Sequence, residues 1–206
     1  MVQLEVLVEE PSAEEALRHL LPKLLRGRAR AKVVNLGSKY KLLKVLGDRL
    51  AAYRMRIDNG EALRIVVLVD RDDDDCTKLK AELERRAKKV GLPTKSQPDA
   101  GGRILVLNRI VIEELEAWFI GDPTALRAAF PKLPAIPETS GIFRNPDNVS
   151  GGTWEGLHRF LKKHGIYRSS YPKIDAAHRI APHLDVARNR SKSFRHFVSG
   201  IEAILA

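Results

Sequence analysis

The chain is poor in sulfur and in aromatic rings. Cys76 is its single cysteine, which excludes an intramolecular disulfide and any multi-cysteine zinc site. Flanked by aspartates, its thiolate is disfavoured, so it is a weak nucleophile candidate. Aromatic residues make up 6%, which points to an aliphatic core of α/β or α type. No apolar run approaches the ~18 residues of a spanning helix, so an integral membrane protein is not expected. The opening MVQLEVLVEEPS has no basic stretch and reaches two glutamates by residue 10. It does not resemble a secretory signal, and a cytoplasmic location is the expectation. There is no internal repeat, and the only low-complexity tract is the aspartate run at 72–75.

The 206 residues are 44% hydrophobic and 30% charged, enough for a real core in one large domain or two small ones. The net charge of +10 is strongly segregated. Residues 18–56 hold twelve basic residues against the single acid Asp48, and residues 151–206 hold ten against four acids. Acids gather instead at Glu5, Glu9, Glu10, Glu14 and Glu15, and at Asp70 and 72–75. Basic surfaces around an acidic centre suit a polyanion that must also meet bound cations, although a generally basic soluble surface would give the same sums.

Apolar periodicity predicts a strand at Leu4–Val8, then a helix capped by Ser12 with Glu15 closing a capping box and Pro22 as a kink. A second strand is expected at Lys32–Leu36 and a helix at Lys39–Arg56. Arg64–Asp70 (RIVVLVD) is the clearest strand, apolar enough to be buried on both faces. A helix at Thr77–Val90, a strand at Arg103–Leu107 and a helix at Ile110–Ile120 follow. After a proline-rich and glycine-rich loop at 131–152, three helices are expected at Thr153–His164, Lys173–Leu184 and Ser191–Leu205. The alternation predicts an α/β fold with a mostly parallel four-stranded sheet flanked by helices. Residues 1–125 form the core, and 126–206 an α-helical C-terminal extension packed on it.

In such sheets ligands bind at the carboxyl ends of the strands. Glu9 and Glu10 follow the first strand, Asp70 and Asp72 end the third, and Glu113, Glu114 and Glu116 follow the fourth. Carboxylates brought that close do not all ionise without a cation, and hard oxygen ligands fit Mg²⁺ or Mn²⁺. Each acid alone has a plainer reading. Glu9 is equally an N-cap, 72–75 a solvated loop capping the next helix, and at least one acid at 113–116 is surface decoration. Trp118 reads as core. His158, His164, His178, His183 and His196 form no HxxxH or HExxH pattern and read as scattered residues rather than ligands.

VLVEEPSAEEAL resembles the first motif of Toprim domains and VVLVDRDDDD the second, a strand ending in Asp-x-Asp. IEELEAWFIGDPTAL is similar to a signature of a Toprim-like domain-of-unknown-function family, number 4276. Its relatives include the nuclease subunit of the PARIS anti-phage system and the overcoming-lysogenization-defect nucleases. The C-terminal YPKIDAAHRIAPHLDVARNRSKSFRHF resembles the family's end, with Lys173, Ser193 and Phe194 at its polar and aromatic positions. The resemblance implies a Toprim-like core in which Glu9, Asp70 and Asp72 bind metal, Glu14 is a secondary acid, and Glu114 and Glu116 precede the family tryptophan. The glycine that commonly follows the first glutamate is Glu10 here, so either Glu9 or Glu10 ligates; Glu9 is the choice taken. Metal-dependent cleavage of DNA or RNA (tRNA among them) and an ATPase partner in phage defence are implied with it.

The expected enzyme is therefore a Mg²⁺- or Mn²⁺-dependent nuclease. Glu9, Asp70 and Asp72 hold a first ion, Glu114 or Glu116 helps hold a second or orients water, and Glu9 or Glu14 is the candidate general base. Lys173, Arg71 and Arg103 are candidates to stabilise phosphate charge. Arg26, Arg28, Arg30, Lys39, Lys41, Lys44, Arg188, Arg190, Lys192 and Arg195 would hold the nucleic acid backbone. Expected partners are nucleic acid, an ATPase protein and a second copy of the chain, with no membrane. The alternatives are a phosphatase of the haloacid dehalogenase type, with Asp70 as nucleophile and Asp72 as acid, or a non-catalytic nucleic-acid or partner-binding module with a degenerate metal site.

Overall fold

The computed structural model describes residues 1–72, 74–112 and 114–206. Over these residues the chain forms β1 (Val2–Val8), α1 (Pro11–Leu25), β2 (Ala29–Asn35), α2 (Lys39–Asp58), β3 (Leu63–Asp70), α3 (Cys76–Lys89) and β4 (Val106–Val111). Helices α4 (Glu116–Ile120), α5 (Pro123–Ala129), α6 (Thr153–Lys163), α7 (Lys173–Ile180) and α8 (Lys192–Leu205) follow. The four strands pair in the order β2-β1-β3-β4, every pair parallel. The expected α/β class is the observed one. No described helix is long and apolar enough to cross a membrane.

Alternation along the central strands sorts side chains to two faces. Leu4, Val6 and Val8 of β1 join Val66 and Leu68 of β3 in a core with α1 and the C-terminal helices. Leu7, Ile65, Val67 and Val69 face the opposite way, into a core with α2 and α3. Because β3 is apolar on both faces, its sequence is a continuous run. Asp70 ends β3 in step with Val66 and Leu68, on the side of the C-terminal layer.

Three local readings are corrected. Helix α1 is not capped by Ser12: Glu10 is the N-cap, extended at φ −125° and ψ 150°, and Pro11 is the first helical residue. A residue before proline is pushed out of the helical region, and proline fits the first turn, where its missing N–H costs nothing. Ser12 turns its hydroxyl to the Glu10 carboxylate, 3.2 Å away. The fourth strand lies at Val106–Val111 rather than Arg103–Leu107, and the helix expected from Ile110 begins only at Glu116. Asn108 and Arg109 interrupt the apolar pattern, but tertiary partners accept them inside the strand. The Asn108 amide donates to Glu84 at 3.0 Å, and Arg109 donates to the His196 carbonyl at 2.9 Å. Helix α7 stops at Ile180, with Ala181–His183 continuing as a single 3-10 turn.

The C-terminal layer is tied to the α4 segment through Trp118, which is fully buried. Its indole N–H donates to Ser193 Oγ at 3.1 Å, and its ring lies 5.2 Å from Phe194 and 5.0 Å from Phe197. Trp118→Ala is expected to cost about 3–5 kcal/mol. Trp118→Phe, which keeps the ring contacts and loses the donor, is expected to cost about 1 kcal/mol. Urea unfolding of the two variants checks the order.

Candidate metal centre at the carboxyl edge of the sheet

The strand order reverses between β1 and β3: the chain steps outward from β1 to β2, then crosses to β3 and β4 on the other side. The carboxyl ends of β1 and β3 therefore flank the crevice where open parallel sheets bind ligands. Glu9 directly follows β1 and Asp70 closes β3. The Asp70 backbone N–H donates to Glu9 Oε1 at 2.5 Å, joining the two strand ends. Glu9 is buried, and burial raises its pKa from the ordinary 4.5 to about 7 despite that bond and the nearby Lys39 ammonium. Asp70 is pushed well above the usual carboxylate range, by burial and then by Glu9, Glu116, Glu10 and Asp72. Part of the residue stays open at the rim, but its carboxyl group is packed among protein atoms and other acids.

Glu116, the first residue of α4, is 1% exposed. Its carboxyl is raised to about 7, chiefly by burial, against the pull of Lys173. Its buried Oε1 and the buried hydroxyl of Tyr171 each lack a hydrogen bond of ordinary geometry, but the two side chains face one another, and Glu116 helps raise the Tyr171 pKa. Glu114 is differently placed. Its Oε2 accepts from the Thr153 hydroxyl at 3.1 Å and the Trp154 N–H at 3.3 Å, while Lys173 Nζ lies 3.3 Å from Oε1. Glu114 thus anchors the start of α6 and holds Lys173, while Glu116 faces Tyr171. Lys173 also lies 3.6 Å from Glu10. Burial lowers its pKa, but Glu116, Glu114 and Glu10 together raise it further, so it stays charged.

Asp72 sits at φ 48°, a left-handed turn that aspartate tolerates better than most residues. The turn carries the chain sharply off β3, and Lys39 Nζ meets Asp72 at 2.6 Å and Asp74 at 2.9 Å. Asp75 caps α3 through the N–H groups of Thr77 and Lys78. Glu14 stands apart from the central acids: it meets Asn35 at 3.4 Å and Arg18 at 3.6 Å, toward the β2 edge. A cavity of about 480 Å³ on that side is lined by Glu14, Leu17, Leu21 and Val33, and none of Glu9, Asp70 or Glu116 faces it. The acid at 113 lies outside the described residues.

The basic residues divide by the polarity of the strands. Lys39, Lys41 and Lys44 in the first turns of α2 share the carboxyl edge with Arg71, which follows β3. Arg26, Arg28 and Arg30 cluster where β2 begins, and Arg103 precedes β4, so these four lie at the opposite edge. Seven strand residues separate the edges by about 20 Å, so the expectation that Arg103 faces reacting phosphate is corrected. Arg28 pairs there with Glu202 at 2.8 Å and Arg103 with Asp99 at 3.0 Å. Arg188 grips the buried Asp122 at 2.8 and 2.9 Å. Arg190 donates to the Phe143 carbonyl at 3.3 Å and Arg195 to the Asn189 carbonyl at 2.8 Å. These three arginines hold the C-terminal loops together, while Lys192 is exposed. Lys39 as counter-ion to Asp72, and Tyr171 beside Glu116, were not anticipated. The YPK triplet that precedes α7 was the one available signal for Tyr171.

Several carboxyl groups converge and three of them resist ionisation, a set of oxygen donors that could hold a divalent cation. Among the described residues, no three of their oxygens lie within 4.8 Å of one another. At that spacing at most two of them could touch one ion directly, the others acting through bound water, as Mg²⁺ coordination allows. Without metal, Glu9 and Glu116 hold protons between pH 4.5 and 7 that an unfolded chain has released. Their contribution to stability is therefore complete below about pH 4.5 and is lost as pH rises through 7, at about 3 kcal/mol or less per group. Glu116→Gln is expected to match the wild type near pH 4 and exceed it at pH 8 in chelator, as thermal unfolding at the two pH values would show.

No curated protein and no solved structure matches the chain. A family model described as Domain of unknown function (DUF4276) matches residues 8–202. The match runs from the last residue of β1 into the last turn of α8, taking in the acidic rim, Trp118 and Lys173, and the chain belongs to that family.

Proposed function

We propose that this protein is a Mg²⁺- or Mn²⁺-dependent nuclease that hydrolyses phosphodiester bonds of DNA or RNA. The observation that carries the reading is the gathering of the buried Glu9, Asp70 and Glu116 carboxyl groups at the β1/β3 crevice, close enough that Glu9 and Glu116 both raise the Asp70 pKa. A Toprim relationship is part of the proposal, supported by the Glu9 and Asp-x-Asp placement on adjacent parallel strands. Service as an anti-phage effector beside an ATPase protein is the setting inferred from the same resemblance.

Two of Glu9, Asp70 and Glu116 would touch the ion directly and the third through water, with Asp72 able to join once it leaves Lys39. Bound there, a divalent cation supplies Lewis acidity toward a phosphate oxygen and lowers the pKa of a coordinated water. The protein's own groups do the rest. Lys173, fixed between Glu10 and Glu114, keeps a positive charge beside the rim where phosphate charge grows. The Asp70 N–H bond to Glu9 sets the orientation of that carboxylate before substrate arrives. Lys39, Lys41, Lys44 and Arg71, on the same edge, are placed to hold flanking phosphates.

The test uses purified protein on plasmid DNA, a total tRNA pool and a small phosphate ester, with Mg²⁺, Mn²⁺ or EDTA. Metal-dependent cleavage of nucleic acid is expected. Asp70→Asn should lower it at least 100-fold without lowering the unfolding temperature, because a buried acid of raised pKa has been made neutral. Cleavage by Asp70→Asn at the wild-type rate, or in EDTA, overturns the reading. Turnover of the phosphate ester alone turns it to a phosphatase.

A further inference from the structure

One cluster of ligating side chains lies outside the acidic rim. Glu15 and His19 stand one turn apart on α1, and His178 reaches them from α7. His178 Nδ1 is 2.7 Å from Glu15 Oε1, and His19 Nε2 is 3.2 Å from the same oxygen. The two imidazoles meet edge to face, 5.6 Å between centroids. The three ligand atoms all lie within 4.8 Å of one another. The other Glu15 oxygen faces Arg18 at 3.4 Å, which leaves Oε1 to the histidines. Glu15 is largely buried, its side chain 13% exposed, while the His178 side chain is 65% exposed.

We propose that Glu15, His19 and His178 form a second metal site, selective for Zn²⁺ or a similar borderline transition ion, that fastens α7 to α1. Two imidazoles and one carboxylate are a recognised zinc donor set, with water as the fourth ligand. Bonds of about 2.0–2.2 Å require ligand atoms roughly 3.4 Å apart. The Glu15 contacts at 2.7 and 3.2 Å must open slightly and the histidine atoms, within 4.8 Å of each other, must close by at most about 1.4 Å, which rotation of the exposed His178 ring can supply. Mg²⁺ is excluded by the nitrogen donors, just as the oxygen-only rim disfavours selective capture of zinc.

The placement gives the ion a structural consequence. Helix α1 leaves the Glu9–Glu10 end of β1, and α7 begins at Lys173, the cation that touches Glu10 and Glu114. An ion bridging the two helices five residues beyond Lys173 fixes how far that ammonium stands from the carboxylates. The inference does not depend on the rim being a nuclease, since the site and its ligands are separate.

The experiment is Zn²⁺ titration of the chelator-stripped full chain by calorimetry and thermal unfolding, with Co²⁺ absorption as a probe of geometry. Wild type is expected to bind one Zn²⁺ in the presence of millimolar Mg²⁺, and to gain about 100-fold in its folding equilibrium at 100 times Kd. Asp70→Asn should keep that binding. His178→Ala and His19→Gln should each weaken it at least 30-fold. Tetrahedral Co²⁺ bands should appear in wild type and Asp70→Asn and vanish in His178→Ala. His178 is exposed, so its variant is expected to fold, and the wild-type Co²⁺ spectrum decides the matter even if it does not. The proposal is overturned if Zn²⁺ does not bind, if binding survives in both histidine variants, or if it is lost in Asp70→Asn alone, which would put the ion at the rim. An octahedral Co²⁺ spectrum in wild type would also overturn it.

Discussion

Uncompensated acidity at the junction of β1 and β3 is the constraint around which the molecule is built. Three buried carboxyl groups share one small region, and desolvation alone is enough to keep Glu9 and Glu116 from ionising at the usual pH. The fold does not neutralise them from within. Its two nearby lysines stand on the flanks: Lys39 on the side of Asp72 and Asp74, and Lys173 between Glu10 and Glu114. Between the flanks Glu116 faces the Tyr171 hydroxyl and feels Lys173 only in part, so its carboxyl stays raised. A group that would otherwise cost stability is retained there, which is the pattern expected where a bound cation completes the structure.

Two layers of the protein meet at this point. The sheet supplies Glu9 and Asp70 through the reversal of strand order, and the C-terminal layer supplies Glu116 and Lys173. Trp118, packed on Phe194 and Phe197, fixes α4 against α8 only two residues beyond Glu116. Glu114 fixes the start of α6 and the Lys173 ammonium with a single carboxylate. The helices after residue 125 therefore complete the site. Their core is continuous with the α1 face of the sheet.

The central strands were legible in the sequence because burial on both faces leaves no alternation to misread; β3 and its terminal Asp70 are the clearest case. The helix starts at Lys39, Thr153 and Lys173 followed from the sequence pattern alone. What failed failed through distance in sequence. Asn108 and Arg109 look like a strand end until Glu84 and the His196 carbonyl are seen to receive them. Nothing local tells that Glu114 is taken up by α6 and Lys173 while Glu116 is buried among the central acids, because the partners of Glu114 lie some forty and sixty positions away. The same holds for the histidines. His178 has no ligand spacing of its own, and its partners lie 163 and 159 residues earlier. The Ser12 capping box was plausible chemistry displaced by one residue choice, Pro11, which sets the helix start by itself.

The charge distribution narrows how a polyanion could approach. The net charge of +10 suggests a broadly attractive surface, yet a large part of it cannot act at the rim. Arg26, Arg28, Arg30 and Arg103 lie about 20 Å away at the amino ends of the strands. Arg188, Arg190 and Arg195 spend their donors on Asp122 and on loop carbonyls. The cations that share the edge with the carboxylates sit mostly on one side, along the start of α2 and at Arg71, and Lys173 faces them from the other. In the proposed nuclease a strand would therefore run from the α2 turn across the β1/β3 crevice toward α7. Its affinity would come from few phosphate contacts, and its salt dependence would be shallower than the total charge implies. The basic amino edge, remote from the acids, would in that reading raise the rate of encounter without defining where the bond is cut.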